Sequence, residues 1–570
     1  MDDLTGRPDD RDRTEEASPP DAAASPHLPQ GSPYHPPGRL ARIGVPVALI
    51  SLMVVTAVLA IAFVGGRGTP STVEPVARPE GAGLVIEGPA PLTWDPSRAG
   101  DAGSAAVLAQ VWEGLTTWDQ DGRLRPALAQ DWDVSDDGLR LRFRLRPGLT
   151  FSDGTPLRAA DVVASWMRII DPTAPGPLAG LLTDIEGVAA YLAGEADAAS
   201  VGLRADGDDV VTVDFVRPAS WFPAAAASPT FAIVPRDLGI RALGPILPEG
   251  LVVSGGYVPV SQGSDGIKLE ANEAYWAGRP AIGSIVHRSD SLEGPVDTFQ
   301  AGSVDLVPIS ALDARWVAYD RELGPQLRRT QGLDVQFLGF DTTRPPFDDV
   351  RVRQAFAWAV DWRRLVELSD PDSIPATSIV PQGIELRGDG DFSPRHDPDA
   401  ARAALAAAGY PGGEGFPDVT LLTSGTLYDA AIAAELRREL GVALGSEVMA
   451  FGEFTRRLDD DPPAMWQLGW AADFPHPHDF LGLLLETGSS NNVGGWSDAA
   501  FDAALDAAAA TDDPAEQTAH YQEAQRIVAD QVPLIPLEYP EAWALSREGL
   551  LGASDPGLGI IRYAGLAWAP

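Results

Sequence analysis

Two histidines flank a proline at His476-Pro477-His478, a spacing that offers two imidazoles to one metal ion. Two imidazoles do not complete a coordination shell. The remaining histidines, His27, His35, His287, His396 and His520, form no spaced cluster, so the pair is expected to be ordinary loop histidines and no metal is assigned. Carboxylate pairs suited to acid–base chemistry occur at Asp136-Asp137 and Asp348-Asp349, but they fall where a turn and a helix cap are expected. Ser254-Gly255-Gly256 lacks the flanking glycine of a nucleophile elbow, and no His-Glu-x-x-His occurs. The chain has no cysteine, which excludes disulfides, thiolate nucleophiles, thiolate metal sites and a lipid on an N-terminal cysteine. Lys268 is the only lysine and follows Ile267, so a Gly-Lys phosphate loop is excluded too. No catalytic constellation and no cofactor emerge, and no enzyme is expected.

The elements that must position a binding site come next. The 570 residues, 45% hydrophobic and 22% charged, are enough for several domain-sized units with real cores. A formal net charge of −39 argues against nucleic-acid binding and against a polybasic membrane surface. Residues 1–40, rich in Pro, Asp, Ser and Ala, are expected to be a disordered cytoplasmic tail. Ile43 to Val64 carries no charge and, at about 1.5 Å per helical residue, spans a bilayer core of about 30 Å. Arg39 and Arg42 before it and Arg67 after it point the N-terminus weakly inward. Ala60 and Ala62 offer a cleavage site, but the leading region and the apolar run are long for a signal peptide, so an uncleaved anchor is expected. A linker follows over 65–83.

From Leu84 onward strands and helices alternate, which predicts an α/β or mixed α+β chain. Asp349 is placed to cap a helix burying Val352, Phe356, Ala359 and Val360. Asp397-Pro398 starts another that Gly409 closes. Asp513-Pro514 with Glu516 reads as a capping box for a third, with Tyr521, Ala524, Ile527 and Val528 inward and Pro533 at its end. Leu141–Leu145, Val210–Phe215 and Val335–Phe340 read as strands. The Asp-Gly chemistry of Phe151-Ser152-Asp153-Gly154-Thr155-Pro156 is a turn into a helix whose first turn holds Asp161, with Val162, Trp166 and Ile169 in the core.

Several blocks in order carry a resemblance. They are Pro91-Leu92-Thr93-Trp94-Asp95-Pro96-Ser97, Val111-Trp112-Glu113-Gly114-Leu115, Pro126-Ala127-Leu128-Ala129-Gln130-Asp131-Trp132, the Phe151 turn and Asp161-Val162-Val163-Ala164-Ser165-Trp166. Asn272-Glu273-Ala274-Tyr275-Trp276, Phe299-Gln300-Ala301-Gly302-Ser303-Val304-Asp305, Pro346 through Phe356, Gly469-Trp470-Ala471-Ala472-Asp473-Phe474 and Pro533-Leu534-Ile535-Pro536-Leu537 continue it. The series resembles the oligopeptide/dipeptide/nickel-binding class of ABC-transporter solute-binding proteins, bacterial extracellular solute-binding protein family 5, over about residues 84 to 545.

The resemblance implies a two-lobed periplasmic-binding-protein fold with an extra domain, here behind one transmembrane helix. Residues 84–113, 217–330 and 541–570 would form the first lobe, 114–216 the additional domain and 331–540 the second lobe, with ligand enclosed between lobes by hinge closure. It implies an extracytoplasmic importer component that takes oligopeptides or dipeptides and partners ABC permease subunits and their ATPases. It places Asp473 against the N-terminal ammonium of a peptide. Trp470 is either a cleft wall or core; Asn491 and Asn492 either meet peptide backbone or form an ordinary turn; Trp94 either lines the cleft or packs inside. A membrane-anchored sensor, or a binder of nickel chelate, haem or oligosaccharide, is the alternative.

Overall fold

The computed structural model describes residues 83–238, 244–289, 294–369, 373–426 and 428–570. The expected tail, the expected span Ile43–Val64 and nearly all of the linker lie outside the described residues. Among the described residues no helix is long and apolar enough to cross a membrane.

Two large mixed sheets organise the rest. The first has seven strands in the spatial order Leu327–Gln331, Glu541–Ser546, Leu306–Ile309, Leu84–Glu87, Ser284–Arg288, Gly266–Ala271 and Tyr257–Gly263. Leu84–Glu87 runs parallel to both neighbours and the other pairings are antiparallel. The second has six strands, ordered Ile374–Pro375, Leu534–Tyr539, Asp334–Phe340, Met465–Ala471, Val419–Thr423 and Leu444–Val448. The chain passes between these sheets at 331–334 and again at 539–541, and the two passages are tied together where the Gly332 N–H donates to the Pro540 carbonyl at 3.1 Å. The result is a two-lobed mixed α/β fold.

A third, four-stranded antiparallel sheet runs Ala129–Val134, Arg140–Leu145, Val210–Asp214 and Leu203–Asp206. Arg140–Leu145 alternates perfectly, its arginines exposed and Leu141, Phe143 and Leu145 buried, the period-2 signature of a half-buried strand. On the exposed face Arg140 pairs with Asp214 at 2.6 Å and Arg144 with Asp133 at 2.7 Å. Under the buried face lies helix Ala159–Ile169, with Val162, Trp166 and Ile169 fully buried as expected. Trp166 meets Phe143, Phe222 and Phe231 edge-to-face at centroid distances of 6.1, 5.5 and 5.8 Å, and its indole N–H donates to the Phe231 carbonyl at 3.0 Å. This core therefore extends past residue 216, taking in Trp221, Phe222, Phe231 and Ile233.

Local capping follows the sequence closely. Asp349 accepts the Arg351 N–H at helix Val350–Ala359, Asp397 the Ala400 N–H at Pro398–Ala407, and Asp513 the Ala515 and Glu516 N–H groups at Pro514–Gln531. One detail differs from expectation. The Glu516 carboxylate accepts from Thr511 Oγ1 at 2.9 Å, and Thr511 Oγ1, not Glu516, accepts the Asp513 N–H at 3.2 Å; a hydroxyl two residues back reaches that donor and displaces the expected box.

Trp166→Ala removes the ring that joins sheet to helix, with the buried indole N–H bond. It is expected to cost about 3–5 kcal/mol, read as a shifted urea midpoint for the unfolding of the Ala129–Ile233 region. A loss below about 1 kcal/mol would show that the aromatic cluster repacks without it.

Candidate ligand-binding site

The strand Met465–Ala471 lies in the middle of the six-stranded sheet, paired with Asp334–Phe340 on one side and Val419–Thr423 on the other. Gly469 stands opposite Gln336, and a Cβ there would come within 2.3 Å of Gln336 Nε2 and displace the end of that side chain. The strand then delivers Asp473 to the wall of a cavity of about 570 Å³. Among the lining residues Asp473 alone comes from the six-stranded lobe; the rest belong to 109–121, 227–229, 256–280 and the C-terminal segment 552–565.

Asp473 is partly buried, and desolvation raises its carboxyl to about 7. Behind it the Trp470 indole N–H donates to Asp479 Oδ2 at 3.0 Å, and the Asp473 N–H donates to the same oxygen at 3.3 Å. Trp470 packs against the cores of the four-stranded domain and of the six-stranded lobe, so its ring supports Asp473 from behind and is not among the cavity-lining residues.

The other walls hold a polar group that the motif blocks contain without marking. Glu113 is buried, its Oε2 accepts the Tyr275 hydroxyl at 2.6 Å, and its Oε1 lies 3.4 Å from Arg562 Nη1. Arg562 also donates to the Ala109 carbonyl at 2.7 Å and to Thr117 Oγ1 at 2.9 Å. Burial, then the Glu113 charge, pushes the Tyr275 phenol far above its usual range, so it stays a donor. Gln110 ties the same wall to the C-terminal segment, donating to the Ile561 carbonyl at 2.9 Å and accepting the Tyr563 N–H at 2.7 Å. Asp121 lines both this cavity and a second of about 620 Å³ bounded by residues 121–123 and 377–391.

The other expected contacts lie elsewhere. Trp94 is fully buried in the core of the seven-stranded lobe, its indole N–H 3.3 Å from the Pro245 carbonyl. The Asn492 amide donates to the Leu485, Glu486 and Trp496 carbonyls, and its oxygen accepts the Trp496 N–H; all its polar capacity is spent on its own loop. Asn491 lies beside it, against a separate void of about 20 Å³. His476 and His478 are packing residues. His478 stacks on Trp221 at 4.3 Å and 11°, and His476 meets Tyr521 edge-on at 5.5 Å. Burial lowers His476 to about 3 and His478 well below its usual value. Among the described residues no group of three or more His, Cys, Asp or Glu side chains is placed to hold a metal.

Comparison with known proteins adds three findings. Residues 123–492 match the model of the bacterial extracellular solute-binding proteins, family 5, middle region. The chain is 31% identical over 470 residues to the probable deoxycholate-binding periplasmic protein of Escherichia coli K12, covering 79% of this chain and 86% of that one. It is 28% identical over 551 residues to heme-binding protein A of Haemophilus influenzae, covering 91% and 98%. It is 24% identical over 547 residues to the oligopeptide-binding protein of Bacillus subtilis, covering 90% and 98%. Among solved structures it resembles the murein tripeptide-binding protein of Escherichia coli, with a TM-score of 0.72 at 23% identity over 85% of this chain and 98% of that one. It also resembles an oligopeptide-binding protein of Haemophilus influenzae in complex with a nonapeptide, with a TM-score of 0.69 at 21% identity over 85% and 99%. These two likenesses concern the fold.

The buried histidines set a pH dependence. Their folded pKa values lie below the ordinary 6.5, so the unfolded chain takes up protons first as pH falls. Their contribution is complete above about 6.5 and is lost as pH drops toward 3. His478→Phe keeps the stack on Trp221 without a titrating ring, and the acid-unfolding midpoint, followed by tryptophan fluorescence, is expected to move to lower pH. A midpoint unchanged or raised would count against this assignment.

Proposed function

The chain belongs to the bacterial extracellular solute-binding proteins of family 5, and from that premise we propose that it is the extracytoplasmic binding component of an ABC importer, taking oligopeptides or dipeptides by their free N-terminus. The observation that carries this is Asp473. It is the one lining residue contributed by the six-stranded lobe, at the end of a Gly469-Trp470-Ala471-Ala472-Asp473-Phe474 motif of the kind that meets a peptide ammonium in the family. A carboxylate in a partly dehydrated wall forms a charge-assisted bond to an ammonium, stronger for the exclusion of water. A cavity of about 570 Å³ has room for a short extended ligand held by backbone groups.

Residues 84–113, 217–330 and 541–570 would act as the first lobe and 331–540 as the second, with 114–216 as the additional domain. The paired passages at 331–334 and 539–541 support that division; the shared core that includes Trp221 to Ile233 supports moving residues 217–233 to the additional domain. Closure would follow ligand, which selects the closed state by binding it more tightly. Ile43–Val64 would tether the domain near its permease.

A second reading has its own support. The relative 31% identical is named for deoxycholate, an anion without an ammonium, for which Arg279 and Arg562 on the wall would be the countercharges and Asp473 a penalty.

The two separate in one experiment. Residues 71–570 are purified, co-purifying ligand is identified by native mass spectrometry, and peptide and deoxycholate titrations are repeated on Asp473→Ala. Peptide affinity is expected to fall at least 100-fold, about 3 kcal/mol, with the fold intact by circular dichroism, and N-acetylation of the peptide to cost as much. Unchanged peptide affinity would sink the N-terminus reading. Deoxycholate bound more tightly by the variant would favour the second.

A further inference from the structure

Asp479 sits behind the site and has no role in the proposal above. It occupies the first turn of the nine-residue helix Pro477–Leu485 and is fully buried. Its Oδ2 accepts the Trp470 indole N–H and the Asp473 main-chain N–H. Its Oδ1 has no access to solvent and no hydrogen-bond partner among the described residues. An ionised carboxylate with one bare buried oxygen costs several kcal/mol, whereas a helix N-terminus returns at most about 2 kcal/mol. Burial, then the Asp473 charge, holds the Asp479 carboxyl well above its ordinary range, against the pull of the Trp470 N–H and the main-chain N–H groups of Asp473 and Phe474. Among the described residues no cation offsets this. His476 and His478 are uncharged in their packing, Tyr521 faces His476, and Arg217 nearby is engaged by Asp184, Glu486 and Asp506.

We propose that Asp479 is the positioning residue of the ammonium subsite: as the neutral acid it fixes Trp470 and the Asp473 main chain, leaving Asp473 as the carboxyl of this loop that ionises to meet an incoming ammonium, its protonated fraction giving up the proton on binding. This rests on the Asp473 reading above. The proton leaves the Asp473 carboxyl for solvent, the ligand keeps its own ammonium protons, and Asp479 keeps its proton throughout.

The test is isothermal titration of the Ala-Ala-Ala tripeptide and its N-acetyl form into the purified domain, in phosphate and in Tris, at pH 6 and pH 7. One carboxyl titrating near 7 makes wild-type affinity rise about fivefold between those values, with about half a proton released at pH 7. Asp479→Asn keeps an acceptor oxygen and no charge. It is expected to stay within about threefold of wild type, with the pH slope and proton release intact, while Asp479→Leu loses at least tenfold because two donors are stranded. If Asp479→Asn loses as much as Asp479→Leu, or abolishes the proton release, the charge on Asp479 is what matters and the proposal falls. Wild-type affinity for Asp479→Leu overturns it as well. If free and acetylated peptide behave alike in the wild type, the Asp473 reading fails first and takes this one with it; if only the Asp479 variants disagree, the Asp473 reading stands.

Discussion

The two large sheets are joined by little chain, which runs between them at 331–334 and 539–541 and is tied by the Gly332–Pro540 bond. Everything around the cavity depends on that crossing. Leu333 donates to the Gly557 carbonyl at 2.8 Å and accepts the Ala472 N–H at 3.0 Å, so one residue of the crossing touches both the C-terminal segment that lines the cavity and the residue before Asp473. A Cβ on Gly557 would lie 2.9 Å from the Gln331 carbonyl; the C-terminal segment packs backbone against backbone here, which only glycine permits. Asp555 in that segment and Asp334 beside the crossing are both desolvated: Asp334 is pushed up to about 6, by burial first and by the Asp555 charge second, while burial raises Asp555 against the pull of the main-chain N–H groups of residues 557–560.

Around Asp473 the same physics recurs with a different outcome. The loop from Phe474 to Asp479 is pinned from outside by Trp221, which stacks on Phe474 and on His478, and by the N-cap in which His476 Nδ1 accepts the His478 N–H at 3.2 Å. Asp473 lines the cavity beside this packed loop, and a carboxylate whose hydration is curtailed on one side resists ionising. The two histidines are buried packing rings, uncharged where they lie.

Much of this was legible in the chain, for a physical reason. Caps at Asp349, Asp397 and Asp513 and the alternating strand Arg140–Leu145 are decided by neighbours within a few residues, so pattern alone places them. The Gly469-to-Phe474 motif was legible as a local unit for the same reason: Gly469 stands opposite Gln336 on the paired strand, and Trp470 and Asp473 share one acceptor on Asp479. Arg562 was not, since it becomes a wall residue only when the C-terminal segment returns to Ala109 and Thr117, some 450 positions away. Asn492 and Trp94 show the converse. Polar loop residues and aromatics at strand ends look available in a sequence, and only the folded chain reveals that their donors are spent at home.

Net charge is a poor guide to this site, and burial is a better one. A chain carrying −39 surrounds any solute with diffuse negative potential, but exposed carboxylates in water discriminate little, since salt screens them within about 8–10 Å. Part of the acidic surface is moreover answered locally, as where Arg140 and Arg204 share Asp214 or Arg526 spans Glu523 and Asp530. Inside the cavity the count is different. Glu113 is matched by Arg562 and Tyr275, and Arg279 is held at 2.6 Å by Glu273, so those charges are engaged before a ligand arrives. Among the described residues Asp473 is an acid of the wall with no ion-paired cation, and desolvation raises its carboxyl.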